Sequence, residues 1–317
     1  MGNGEVEAVL TRRTSRLDVG GAWGRRFRNR RRVPRLEAQD RLYNLVLSLP
    51  MTVFLLVFFV APLAFIVFFA FDVYGVSFQP TGRFSLSNFE LILKPETATL
   101  FYRTTSVAGM VTLLSFLFAY PAAYYVAEQT SVRRRGFFLM LLIIPFWTSF
   151  LLRTYSLKLI FKDDGLANGF LQSLGIIPGP VFDIGSYWAV VWAELYAFLP
   201  FMALPLYATL ERLSRSSIEA SYILGAGRIQ TFFRVILPLS SPGILAGSIL
   251  VFIISMGELV IPFLMGGVEA QYLLGNSIYE RQQTPGTASA LGLLFMALVF
   301  GISVVYLRVA GRGGLRL

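Results

Sequence analysis

The chain is 317 residues long, 55% hydrophobic and only 15% charged, well under the ~25% charged content of a soluble globular domain. It contains neither Cys nor His, which excludes disulfides, thiolate nucleophiles, Fe–S clusters, imidazole metal sites and any Ser-His-Asp triad. The formal net charge is +10, and where the basic residues fall decides what that charge means.

Residues 1–40 are Arg- and Gly-rich without apolar periodicity and read as a disordered tail. Its charges suit anionic lipid; the aromatic interleaving of a nucleic-acid binder is not there. An apolar run of about 20 residues crosses ~30 Å of hydrocarbon. Six such runs follow: span 1 (48–71), span 2 (101–127), span 3 (137–160), span 4 (187–210), span 5 (242–265) and span 6 (287–308). Span 1 is too long for a signal-peptide core and has no cleavage site after it. Between spans 1 and 2, Ser87 and Glu90 have capping-box spacing for a short helix. Between spans 3 and 4, Gly165 and the GIIPGP turn bracket another. The chain therefore divides into a 1–44 tail, a six-span domain over 45–310 that contains a polar loop at 211–241, and a short tail at 311–317.

With the N-terminus inside, the inner segments carry 21 Lys/Arg and the outer loops four: Arg83, Lys94, Lys162 and Arg281. The positive-inside rule then places both termini in the cytoplasm. The outer loops hold eight acids and sum to −4, a field that concentrates cations at the mouth, although simple inward sorting of basic residues gives the same sum.

The 211–241 loop is too long for a turn and too polar for a span. Ser216 and Glu219 fit a capping box that opens a helix near Ser217; Gly225 and Gly227 interrupt it. A second piece, IQTFFRVIL, stops at Pro238, and Ser241-Pro242 restarts the chain as span 5. Within it, EASYILGAGRIQTFFRVILP resembles the EAA motif of inner-membrane permease subunits of ATP-driven, binding-protein-dependent importers. Glu219, Ala220, Gly225, Leu237 and Pro238 match at the motif's spacing, while Ser221 replaces its second Ala and Val235 its Ile. Three further stretches, IPFWTSFLLRTYSLK, LPFMALPLYATLERL and MGELVIPFLMGG, resemble spermidine/putrescine importer permeases. The long Arg-rich head departs from that pattern.

The resemblance implies an all-α, six-helix membrane protein of the type I ABC importer permease kind, multi-pass in a bacterial inner membrane. It implies a coupling helix seated in an ATPase groove, with small Ala220, Ser221, Gly225 and Ala226 allowing close approach and Tyr222, Leu224 and Phe232 as anchors. For Glu219, helix capping and direct ATPase contact both remain open. Implied partners are a second homologous permease, two ATPase subunits, an extracytoplasmic solute-binding protein and membrane lipids, with no nucleic acid. This chain needs no cofactor of its own; ATP and Mg belong to the ATPase subunits. No G-x-x-x-x-G-K-[ST] loop occurs here, and none of the three lysines, Lys94, Lys158 and Lys162, follows a Gly-rich turn.

Ionisable residues inside spans are functional-site hypotheses by default. Counted along straight helices at 1.5 Å per residue, Arg153, Glu194 and Glu258 fall in the outer third of the membrane, ~24, ~10 and ~24 Å from their span starts. Two acids against one Arg suit an ammonium. Trp188, Trp192 and Tyr196 recur at i, i+4, i+8, and with Phe146 and Trp147 offer cation–π faces, or an interfacial aromatic belt. Arg153 reads first as a structural partner of Glu194 or Glu258 and second as a pathway residue beside Glu258, Glu194, Trp192, Tyr196 and Trp147. The functional expectation is a non-catalytic subunit moving a small cation, a polyamine, inward. A permease of the same class for ferric iron, thiamine or phosphonate is the alternative, with a stand-alone secondary transporter behind it.

Overall fold

The computed structural model describes residues 34–74, 80–179, 184–265 and 273–314. The Arg-rich head up to residue 33 lies outside the described residues, as do Asp183 and Glu269; residues 34–40, which the sequence placed in a disordered tail, are instead helical. The chain forms two units, residues 1–63 and 64–317. In the first, Pro34–Leu55 is α-helix and Leu56–Val60 is π-helical.

Four helices are long and apolar enough to cross a membrane: Val46–Phe71, Pro95–Glu128, Tyr187–Leu210 and Pro285–Arg308. Two bent helix pairs meet the same length and composition only together, Arg133–Trp147 with Phe150–Ser173 at 93° and Arg228–Leu239 with Ser241–Met256 at 62°, each a broken span or a re-entrant loop. Counted as one span each, the pairs bring the total to up to six, the number expected, and spans 3 and 5 are interrupted. In span 3 the α-helix gives way at Ile144–Trp147 to a 3-10 turn around Pro145, after which Thr148 is extended. Pro has no N–H and its ring clashes with the carbonyl four residues back. In span 5 the helix that starts at Ser241 ends at Met256, and a short one, Val260–Met265, follows. Pro262 explains that interruption: it cannot donate to the carbonyl of Glu258.

Span 4 is the central helix of the second unit, with 67% of its apolar window buried against 39% for span 2 and 11% for span 6. Between spans, hydrophobicity drives little association because lipid is as apolar as Leu, so close packing decides. Gly243 and Gly247, four apart on span 5, meet span 4 at this closeness. A Cβ on Gly243 would lie 2.5 Å from Oγ1 of Thr209, and one on Gly247 would lie 2.7 Å from Sδ of Met202. A second cluster, Ala70, Ile92, Leu100, Leu274, Ala290 and Leu291, packs at the other end of the bundle from the 211–241 loop.

The all-α expectation needs one amendment. An antiparallel hairpin, β1 (Asp72–Tyr74) and β2 (Pro80–Phe84), follows span 1, pairing Asp72 with Phe84 and Tyr74 with Pro80. The buried Asn88 amide holds it by donating to the carbonyls of Ala70 and Asp72 at 3.1 and 2.8 Å. The short helix beside it, Ser87–Ile92, forms as expected, but without the Ser87/Glu90 capping box. Ser85 Oγ instead accepts the N–H of Ser87 at 3.1 Å. The helix between spans 3 and 4 is Leu166–Ser173, bounded by Gly165 and by Gly175 at φ +67°.

Candidate functional site

The polar loop folds as helix, break, helix. Its first helix is Arg215–Ile223, flanked by Ser214 with no side-chain cap. It starts before Ser216, so the Ser216/Glu219 capping box does not form, and the exposed Glu219 carboxylate is left facing solvent. The helix ends on Gly225 at φ +85°, with the N–H of Ala226 bonded to the carbonyl of Ser221 and that of Gly225 to Tyr222, each at 3.0 Å. This six-to-one closure requires a left-handed residue, which costs a non-Gly side chain about 1–2 kcal/mol. The second piece runs α-helical over Arg228–Thr231, π-helical over Phe232–Ile236 and α-helical over Leu237–Leu239. Pro238 lies inside it rather than ending it, and Ser240, not Ser241, flanks span 5.

The two pieces are joined by a contact that the motif alone did not reveal. The hydroxyls of Ser221 and Thr231, both buried, lie 2.9 Å apart, and Ser221 also donates to the carbonyl of Ile218 at 2.7 Å. Leu224 is 86% exposed and Tyr222 46%; Ala220 and Pro238 are also exposed and Ala226 half-buried. Phe232 differs from the expected anchor. Half-buried, its ring packs edge-on against Tyr120 and Tyr124 of span 2, at 5.6 and 6.2 Å, so that part of it serves the chain's own core. The apolar groups left outward are Ile223, Ile229 and Phe233. A cleft of about 530 Å³ opens between Tyr124, Tyr222, Arg228, Ile229, Phe232 and Phe233. Large exposed apolar side chains are thus grouped on this loop.

Below the loop, Tyr120 Oη and Ser240 Oγ share a buried hydrogen bond of 2.9 Å. Arg135 donates to the carbonyls of Thr130 and Ala127 and pairs with Glu211 at 3.2 Å. One side chain thus ties the link between spans 2 and 3 to the end of span 4. In the sequence it was only one of three adjacent arginines.

The intramembrane residues divide into two groups. Glu194 is wholly buried and accepts a hydrogen bond from the Ser255 hydroxyl. Glu258, three residues after Ser255, stands at the break in span 5 and within electrostatic range of Glu194. Its Oε1 accepts the N–H groups of Val260 and Ile261 at 2.8 and 3.1 Å. Asn276, 3% exposed, donates to the carbonyl of Leu259 at 3.2 Å. The straight-helix depth for Glu258 therefore does not apply, since the helix has ended at Met256. Gly257-Glu-Leu-Val-Ile-Pro262 was the available signal, a carboxylate four residues before a proline in an apolar run; Ser255 and Asn276 carried no signal of their own.

Arg153 belongs to the second group. Among the described residues it has no ion pair with Glu194 or Glu258, and its guanidinium lies over the rings of Phe146 and Phe150 at 5.3 and 5.8 Å. Trp147, on the 3-10 turn, is 80% exposed. Trp188, Trp192 and Tyr196 form an open stripe, 50, 36 and 45% exposed, on a helix that is otherwise the most enclosed of the bundle. Phe118 of span 2 adjoins it, 6.3 Å from Trp192.

Known proteins can be set beside this arrangement. The family described as the inner membrane component of binding-protein-dependent transport systems matches residues 21–312. The inner membrane ABC transporter permease protein YdcU of Escherichia coli is 34% identical over 76% of this chain and 77% of its own. The spermidine/putrescine transport system permease protein PotB of Escherichia coli is 38% identical over 62% of this chain and 70% of its own. That of Haemophilus influenzae is 35% identical over 68% and 77%. Among solved structures, a bacterial ABC transporter involved in alginate import superposes with a TM-score of 0.69 at 16% identity, covering 88% of this chain and 98% of the other. With bent spans, a structured loop and no nucleotide-binding motif, the chain belongs to the inner-membrane permease components of binding-protein-dependent transport systems.

Proposed function

We propose that this permease moves a small polycation, a polyamine such as spermidine or putrescine, into the cell. The observation that carries the reading is the open aromatic stripe Trp188, Trp192 and Tyr196 on the central helix, on a helix that also bears Glu194 and beside the Glu258 break. Aromatic faces attract an ammonium by ~0.5–2 kcal/mol each, and a carboxylate at the break adds charge without binding so tightly that release is lost. The similarity to spermidine/putrescine permeases supports the same solute class.

In this reading the termini and the 211–241 loop are cytoplasmic, as the distribution of basic residues requires. A second permease completes the pathway, and the open stripe faces it. Two separate ATPase subunits handle ATP and Mg²⁺, docking on the cleft between Tyr222 and Phe233, with the loop between residues 216 and 238 transmitting their movement. A soluble binding protein delivers the solute from outside.

The test is Glu258→Gln in the reconstituted complex. The amide oxygen still accepts from Val260 and Ile261, so complex yield and basal ATP hydrolysis should persist while polyamine uptake falls severalfold or more. Wild-type uptake by this variant removes Glu258 from the pathway.

A further inference from the structure

At the end of the bundle away from the 211–241 loop, three cations from three segments converge on one cleft. Lys94 comes from the turn before span 2, Arg103 from the third turn of that helix, and Arg281 from the 3-10 turn before span 6. The cleft has a volume of about 310 Å³, and Glu96 is its one acid. Arg281 is held in place: its Nη1 donates to the carbonyl of Ser277 at 3.0 Å and to the Ser277 hydroxyl, and Ser277 is itself buried. Nε and Nη2 remain without a protein partner among the described residues, a planar pair suited to two oxygens of one anion.

This cleft has the wrong sign for the solute. It also stands out on a face whose loops sum to −4, where two of the four basic loop residues, Lys94 and Arg281, meet Arg103 of span 2. An ammonium is repelled here; an oxyanion is favoured. A phospholipid would need an apolar wall for its chains beside the phosphate, and the cleft offers one apolar side chain, the buried Leu100, among Thr97, Thr99 and the charged groups.

We propose that Lys94, Arg103 and Arg281 receive a carboxylate of the solute-binding protein and fix its orientation over the pathway. The proposal rests on the importer reading and orientation given above. Charge pairs at the rim of an interface govern association rate and register more than they govern the events that follow. The cleft therefore acts on docking and leaves the maximal turnover unchanged.

The experiment uses the complete complex, with the second permease and ATPase subunits, in phosphatidylcholine nanodiscs with and without phosphatidylglycerol. ATP hydrolysis is titrated with the solute-loaded binding protein. Arg281→Glu and Lys94→Glu should each raise the half-saturating concentration by about tenfold or more, with the plateau rate retained. Arg281→Lys should lose less, and the wild-type affinity should weaken as salt rises. Lys94 is exposed, so its variant keeps the test free of folding defects. Stimulation in the wild type with unchanged half-saturation in both Glu variants overturns the docking proposal alone. A shift seen only with phosphatidylglycerol present assigns the cleft to lipid and also overturns it. No stimulation of the wild type overturns the importer reading and this proposal with it.

Discussion

The chain interrupts a helix in two chemically opposite settings. At Gly225 the break lies in a loop outside the apolar runs, and the backbone turns through a left-handed residue with open space around it. At Gly257 the break lies inside a span, with φ −93° and ψ 1°, and the chain after it is packed so closely that a Cβ on Gly275 would come within 2.9 Å of the Glu258 carbonyl. Water satisfies whatever the first break leaves unpaired. At membrane depth irregular backbone is tolerated only where protein or an aqueous pathway satisfies it, and here side chains supply partners: Glu258 Oε1 takes two N–H groups and Asn276 supplies the Leu259 carbonyl. A break in solution is therefore specified by backbone conformation, and one in a membrane by side-chain chemistry.

That contrast can be broken, most severely at Glu258. Glu258→Ala leaves two N–H groups without an acceptor, at ~1–3 kcal/mol each, and should lower complex yield and thermal midpoint in detergent. The Gln variant should keep both. Equal loss in the two variants would show that charge, not acceptance, holds the break. At the other break, Gly225→Val meets no neighbour, so its cost is the ~1–2 kcal/mol of a β-branched residue at positive φ. The spans should remain folded while solute-dependent ATP hydrolysis is lost; unchanged stimulation would remove Gly225 from coupling. Ser221→Ala and Thr231→Val should each cost about 1 kcal/mol and together less than their sum, because one bond is removed twice. Additive losses would mean the hydroxyls act separately. Ser216→Ala should cost well under ~1 kcal/mol in thermal unfolding, since its side chain caps nothing and shares only an exposed hydrogen bond with Ser214; a loss of ~1 kcal/mol or more would restore the capping box.

Legibility in the sequence followed the same division. Six spans were readable because hydrocarbon imposes a length and a composition, and the loop was readable because five motif positions recur at fixed spacing. The hairpin after span 1 escaped because its strands are three and five residues long and Asn88, which anchors it, lies outside both. Phe232 and Phe233 are adjacent in the sequence, and only the π-helical turn decides which enters the core. The Arg153 pairing expected from depth counting presumed straight helices, and Pro145 and Pro262 each removed that premise. Asn276 and Ser255 matter through contacts with segments far away in the chain, which no local pattern encodes.

The Ser221–Thr231 contact bears on engineering. Its serine occupies the place of the motif's second alanine, and its threonine lies ten residues downstream, beyond the glycine turn. A chimera that exchanges only the first helix of the loop would import an alanine and strand Thr231 as a buried hydroxyl. Exchanging residues 215–239 as one cassette would carry lock and key together. The contact thus sets the smallest stretch of this protein that can be transplanted as a unit.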